Sequence, residues 1–290
     1  MILVTGCTGY VAGFLLRELA RQDESVRCLV RPHKPEEALR PLREWGMSIQ
    51  EGDLLDERAR RRALEGVRAV IHLAHIRYAP LVLSDAGTQV ERLVLMSSLW
   101  RFSRVVAAGV NEVINAEKAV EKCDKPWVLL RPSMIYGPGS DRNISRLRAQ
   151  LSRWRVMPIF GSGQALHQPV YVGDVVRATM AALRQPGIEH RSYALAGRSA
   201  LSYRDLLTAL GHSIGVSPII VPLPARPVAA LVGILRRWGA PLPLEPEQIL
   251  RLQEDKQYDI GEAQRDLAYE PVAFERGLEL VGAGGGHAEN

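Results

Sequence analysis

A doubly wound α/β fold on a parallel sheet is predicted by three features of this 290-residue chain. Short apolar runs alternate with helix-patterned segments through the first 135 residues, the runs are nearly all apolar, and the first ends in a glycine-rich turn. Strands buried on both faces need such runs, and the intervening helices provide the cover. Right-handed crossovers then wind the sheet in both directions.

The runs MILVT, SVRCLV, MSIQ, RAVIHLA, RLVLMSS and PWVLLRP read as strands, rich in Val, Ile and Leu. Between them, Phe14 to Arg21, Pro35 to Trp45 and Asp56 to Glu65 place apolar residues at helical spacing, the first of these helices starting near Tyr10. Fewer than twenty residues join Ala74 to Arg92, so any helix there is small. A longer helix is expected from Arg104 to Cys123. After Tyr136 come a loop (GPGSDRN), a basic helix from Ile144 to Trp154, and a second loop (GSGQALHQP). A helix from Asp174 to Leu183, a strand around Tyr193 and a helix from Tyr203 to Leu210 follow. Prolines 218, 222, 224, 227, 241, 243 and 246 predict short elements and many turns beyond that point.

With 47% hydrophobic and 24% charged residues, the composition is that of a soluble globular protein. No apolar run is long enough to cross a bilayer; the stretch from Pro227 to Leu235 is short and broken by Gly233, so no membrane partner is expected. The first strand begins at Met1, so no secretory leader is expected. Three scattered cysteines without a C-x-x-C pair read as reduced thiols in the cytoplasm, and the histidines form no metal-ligand pattern. The net charge of +5 is spread over apparent helices, such as Arg58 to Arg62 and Arg142 to Arg155. That is the pattern of solvated faces, and no nucleic-acid partner is expected.

The segment VTGCTGYVAGFLL carries the strongest chemistry. A strand ends at Thr5, Gly6 and Gly9 form the turn, and an amphipathic helix follows. Glycines let a backbone approach a pyrophosphate, and a helix N-terminus offers unpaired N–H groups and a positive dipole end. Ala12, followed by Gly13, provides the small position where helix meets strand. Gly6, Thr8, Gly9, Tyr10 and Val11 are therefore candidate dinucleotide contacts. Strand two ends CLVRPHK, with Arg31 where an NAD-selective site places an acid for the ribose 2′-hydroxyl. A guanidinium there suits a 2′-phosphate, so NADP(H) is preferred and NAD(H) remains possible. The expected organisation is a dinucleotide-binding Rossmann-type core over residues 1–136 and a smaller substrate-binding lobe over 137–281. Residues of about 165–198 return to the core, and a disordered tail occupies 282–290.

In order along the chain, VTGCTGYVAG, EGDLLD, VIHLA, VLMSS, LLRPSMIYGPG, PVYVGDVVRA and DIGEAQRDLAYEP resemble the extended and atypical short-chain dehydrogenase/reductases, which include the NAD-dependent epimerases and dehydratases. The resemblance implies that Asp53 and Leu54 face the adenine, that Ala74 lines the dinucleotide, and that Pro132, Ser133 and Ile135 sit beside the nicotinamide. From the residues alone, Asp53 reads equally as a helix N-cap with Leu54 in the core.

Typical members carry a Tyr-x-x-x-Lys pair, in which lysine lowers the tyrosine pKa for proton exchange. Ser97 and Ser98 are present to hold a reacting oxygen, but aligning the helix on Ala116 and Glu117 puts Gly109 and Val113 at the pair's positions. None of the eight tyrosines has lysine four residues later. Asn111, Asn115 and Lys118 read as a solvated helix face, and Arg101, near the expected substrate edge, reads equally as a helix cap or a surface residue. Glu112 is a conceivable base, Tyr136 an aromatic wall, and His167 a loop residue bonded to backbone. The family's nucleotide-sugar enzymes carry an arginine where this chain has His167 and Gln168; Arg142, Arg146 and Arg148 are the available replacements.

The expected function is an NADP(H)-binding oxidoreductase or epimerase-like enzyme acting on a small carbonyl or sugar-derived substrate. The alternative is a non-catalytic redox sensor or a cofactor-stabilised assembly subunit. Family analogy also suggests a homodimer through the Arg104 to Cys123 helix.

Overall fold

The computed structural model describes residues 1–105, 107–139, 141, 143–239 and 245–284. The chain starts β1 (Ile2–Thr5), α1 (Tyr10–Arg21), β2 (Val26–Val30), α2 (Glu36–Glu44), β3 (Ser48–Glu51), α3 (Glu57–Leu64) and β4 (Ala69–His72). It continues α4 (Ala79–Asp85), β5 (Arg92–Met96), α5 (Ala108–Glu121), β6 (Trp127–Pro132), β7 (Ile135–Tyr136), α6 (Ile144–Arg153) and β8 (Val156–Phe160). Next come β9 (Leu166–His167), β10 (Val170–Tyr171), α7 (Val172–Arg184), β11 (Arg191–Leu195), β12 (Leu201–Ser202), α8 (Tyr203–His212) and β13 (Ile219–Leu223). Helices α9 (Ala225–Arg237), α10 (Pro246–Arg251), α11 (Gly261–Leu267) and α12 (Phe274–Gly284) complete it.

The main sheet has seven strands in the order β11-β6-β5-β4-β1-β2-β3, and every pairing in it is parallel. Strand order reverses between β1 and β4, which opens a crevice at their C-terminal ends. Both faces of the central strands are buried, as their unbroken apolar runs require. On one face α1 inserts Ala12, Leu15, Leu16 and Leu19, and α7 packs beside it. On the other, Val113, Ala116 and Val120 of α5 meet Leu93, Leu95 and Leu129 of the sheet. Helix α3 is capped by Asp56, which accepts from the Arg58 N–H at 2.9 Å, and is tied to α4 by the buried Arg60–Asp85 pair at 2.6 Å. A separate core around Tyr136, Ile159, Leu206 and Phe274 holds the lobe that rises above the sheet. Among the described residues no helix is long and apolar enough to cross a membrane.

Three sequence expectations are corrected. Helix α5 begins at Ala108, not Arg104, because the Glu254 carboxylate takes up the preceding turn. It accepts from the Arg104 and Val105 N–H groups at 2.6 and 3.0 Å and from the Ser103 hydroxyl at 2.8 Å. The proline-rich stretch contains the 13-residue helix α9, since Pro227 falls in its first turn, where a missing N–H costs nothing. Residues 282–284 finish α12 and belong to no loose tail; residues 285–290 lie outside the described residues.

Candidate functional site

The crevice floor is the turn between β1 and α1. Gly6 adopts φ +74°, and a Cβ on it would lie 2.5 Å from the Ala74 nitrogen and 2.7 Å from the Leu73 carbonyl carbon. Only glycine permits that approach of the turn to the end of β4. The Gly9 N–H closes the turn on the Gly6 carbonyl at 2.9 Å, and Gly9 is the N-cap of α1 without any side-chain cap. The first N–H groups of α1 are thus left for a ligand, with no acid in the first turn to compete. Thr8 and Gly9 are exposed there, while Val11 packs into the core and Ala12, not Gly13, is the small residue buried at the helix–strand contact.

Behind this floor, the Thr5 hydroxyl meets His72 Nδ1 at 2.8 Å, joining the ends of β1 and β4 in the buried core. His72 Nε2 lies 3.3 Å from the His75 carbonyl, so Nε2 donates and Nδ1 accepts the Thr5 proton. Burial pushes the His72 pKa down to about 4, so the ring is neutral near pH 7.

Tyr10 leans across the crevice, donating its hydroxyl to the Pro138 carbonyl at 3.0 Å. Burial, then Asp141, raises its pKa, so it stays a phenol. Arg31 stands exposed at the end of β2, with no hydrogen bond or ion pair to any described residue. Asp53 lies just past β3 and accepts from the Leu55 N–H at 2.8 Å in an Asx turn. It is not a helix cap, because Asp56 fills that role; Leu54 packs its side chain against the core. The glycine cradle and the uncapped helix end fit the pyrophosphate of a dinucleotide.

At the far end, Pro132 closes β6, and Ser133 donates to the Gln168 carbonyl at 2.5 Å and to the Leu195 carbonyl through its N–H at 3.0 Å. Ile135 is partly buried beside them. Gln168 donates to the Gly197 carbonyl at 2.7 Å and accepts from the Tyr258 N–H at 2.8 Å. It sews segments together where the family's nucleotide-sugar enzymes put an arginine. His167 lies in β9 and not in a loop; it is buried, its ring packs beside Tyr203, and burial then Lys256 push its pKa down to about 3. Tyr136 is no cleft wall, being fully buried with its hydroxyl on the Phe274 carbonyl at 3.3 Å. Arg146 is exposed, Arg148 borders a recess with Asp141 and Leu278, and Arg142 lies outside the described residues.

The reacting end differs most from expectation. Ser97 donates its hydroxyl to Glu117, which is 0% exposed. The same carboxylate accepts from Arg131 at 2.8 Å and from Arg101 at 2.5 Å, and Glu121 lies 3.1 Å from Arg101. Arg101 is therefore neither a cap nor a solvated residue. Ser98 caps the turn Leu99–Phe102 by accepting from the Trp100 N–H at 3.2 Å, which leaves its hydroxyl proton for another acceptor. Gly109 faces Trp100, whose ring lies 3.5 Å from where its Cβ would be, and Val113 is buried in the core. Trp100 itself lies under Arg251 at 4.4 Å, and Phe102 packs near Tyr258 at 6.3 Å. Glu112 is paired with Arg77 at 3.3 Å, which weakens it as a base, while Asn111, Asn115 and Lys118 are exposed.

A glycine-lined crevice at the switch point of a doubly wound sheet defines the dinucleotide-binding α/β class. Residues 1–92 match the NmrA-like family, and residues 107–196 the NAD dependent epimerase/dehydratase family. With that fold, the two partial matches make the chain similar to the NAD(P)-binding epimerases and reductases of the extended short-chain dehydrogenase/reductase type, and no tyrosine in it has a lysine four residues later. It is 25% identical to the 2-alkyl-3-oxoalkanoate reductase of Stenotrophomonas maltophilia, covering 97% of this chain and 98% of that one. Against the ceramide reductase of Caulobacter vibrioides the identity is 23%, over 83% and 78% of the two chains. Subunit 9 of the NADH dehydrogenase 1 alpha subcomplex of Arabidopsis thaliana is 26% identical, over 87% and 67%. In fold, the chain resembles a UDP-glucuronic acid 4-epimerase from Bacillus cereus, at TM-score 0.74, 20% identity and 98% coverage of both chains.

Proposed function

We propose that the protein is an NADP(H)-dependent reductase of a small carbonyl compound, with Ser98 as the donor that positions the carbonyl oxygen. The observation that carries this reading is the division of labour between the two serines. Ser97 is committed to Glu117, whereas the Ser98 proton has no acceptor among the described residues and can serve a ligand at the end of β5. Gly6, Thr8, Gly9, Tyr10 and Val11 would hold the pyrophosphate, Arg31 the 2′-phosphate, Asp53 and Leu54 the adenine end. Ala74, Pro132, Ser133 and Ile135 would line the nicotinamide end.

Bound NADPH would supply a hydride to the carbonyl carbon, and water the proton to its oxygen. Ser98 holds that oxygen by a hydrogen bond. Trp100, Phe102 and Tyr258 offer an apolar wall to the rest of the substrate, and Gln168 offers no charge to a diphosphate. Reductases among the relatives support reduction over nucleotide-sugar epimerisation. Without a positioned acid, turnover falls short of that of members with the full pair by a factor on the order of 10² to 10⁴.

A second reading, a non-catalytic cofactor-stabilised subunit, is favoured by the burial of Val113 and by the likeness to a respiratory-complex subunit. Single-turnover oxidation of bound NADPH, followed by its fluorescence over a panel of ketones and 3-oxo esters, separates the two. The reductase reading expects consumption with at least one compound, slowed on the order of 10²-fold in Ser98→Ala. Binding without consumption of any panel member would favour the subunit.

A further inference from the structure

Helix α9 has two apolar faces, and among the described residues only one of them is covered. Ala225, Ala229 and Val232 pack with Phe160 and Ile249 beneath it. On the opposite side, Pro227, Leu231, Ile234 and Trp238 follow one another at spacings of four, three and four along the helix and its C-cap, forming a single stripe. All four are exposed, and Trp238 is 82% exposed.

The stripe does not stand alone. Phe160 belongs to β8, which pairs in parallel with β13 so that Val156 opposes Ile219 and Pro158 opposes Val221. Residues two apart share a strand face, so these four lie on the face that carries Phe160 under α9. At the Phe160 end that face is covered; at the other end Val156, Pro158, Ile219 and Val221 are exposed. Trp154, also exposed, extends the patch at the start of β8.

The rim is cationic. Arg226 and Arg237 flank the α9 stripe, and Arg153 and Arg155 bracket Trp154. Neither Arg153–Phe160 nor Ala225–Arg237 contains an acidic residue. A second copy docked through this patch would set arginine against arginine with no carboxylate from either stretch between them. An anionic headgroup layer meets the arginines, while the boundary beneath it takes Leu231, Ile234 and the tryptophan rings, whose amphipathic indoles suit that depth.

We propose that α9 and the outer face of β8 and β13 form a docking surface for anionic lipid, which the chain rests on without spanning. This revises the sequence-based expectation of no membrane partner, and it stands independently of the reductase reading.

The full chain is tested by flotation with vesicles of phosphatidylcholine alone or mixed with phosphatidylglycerol, at low and high salt. A Leu231→Asp, Ile234→Asp double variant and an Arg226→Glu, Arg237→Glu double variant accompany it, each first shown to keep the wild-type thermal midpoint. The expected result is flotation with the anionic vesicles only, weakened by salt and reduced more than about tenfold in both variants, since each lost apolar side chain or cationic contact costs on the order of 1 kcal/mol. Failure of the wild-type chain to float with anionic vesicles overturns the proposal. So does a wild-type dimer in sedimentation that Leu231→Asp, Ile234→Asp converts to monomer, because the stripe would then be a self-interface.

Discussion

Replacing Glu117 with alanine is expected to cost about 3–5 kcal/mol of folding stability, read as a lower urea midpoint at unchanged slope. Glu117 is fully buried and accepts from Ser97, Arg101 and Arg131. Without it, the Arg131 side chain, 11% exposed, keeps Glu121 at 3.6 Å as its one carboxylate among the described residues, beside the Phe102 ring at 5.7 Å. The penalty is that of an uncompensated buried charge more than of a lost contact. Replacing both members, Glu117→Met with Arg131→Met, should therefore recover most of the loss, because Arg101 and Glu121 still pair at 3.1 Å. A single alanine variant within about 0.5 kcal/mol of wild type would mean that solvent reaches the quartet and neutralises the argument.

The second large effect belongs to Gly6. A methyl group there meets the Ala74 nitrogen at 2.5 Å, and the backbone sits at φ +74°. Gly6→Ala should lose about 2–4 kcal/mol from the left-handed backbone and from forced separation of the turn from β4. It should also lose dinucleotide-induced stabilisation. Gly13→Ala is the matched control: a Cβ there meets nothing within 4 Å, and a helical glycine replaced by alanine gains about 0.5–1 kcal/mol. Equal behaviour of the two variants in thermal denaturation would show that the turn tolerates movement.

The main sheet was legible because its signal is local and redundant. Most strands of the first half are apolar runs with a helix pattern after them, the edge strand β3 (SIQE) excepted, and the glycine turn marks the switch point. Much of the reacting end was not. Glu117 did carry a signal, since Val110, Val113 and Val120 put position 117 on the buried face of its helix. Arg131, inside the run VLLRP, carried its complement. Neither says that the two meet, because pairing across α5 and β6 depends on tertiary register. Helix α9 was masked by its own prolines: a count of breakers predicts turns, whereas the position of Pro227 in the first turn permits a helix. His167 was misplaced for a related reason, because a two-residue strand leaves no periodicity to read.

A thermal-shift titration with NADPH, NADP⁺, NADH and NAD⁺, run beside Arg31→Asp, tests the central claim most directly. At about 100 times its dissociation constant, a bound dinucleotide adds about 2.7 kcal/mol of stability. The account predicts that shift with NADPH and NADP⁺, and its loss or a switch to NADH and NAD⁺ in the variant. No shift with any of the four would contradict it, leaving the cradle at Gly6 as architecture without a ligand.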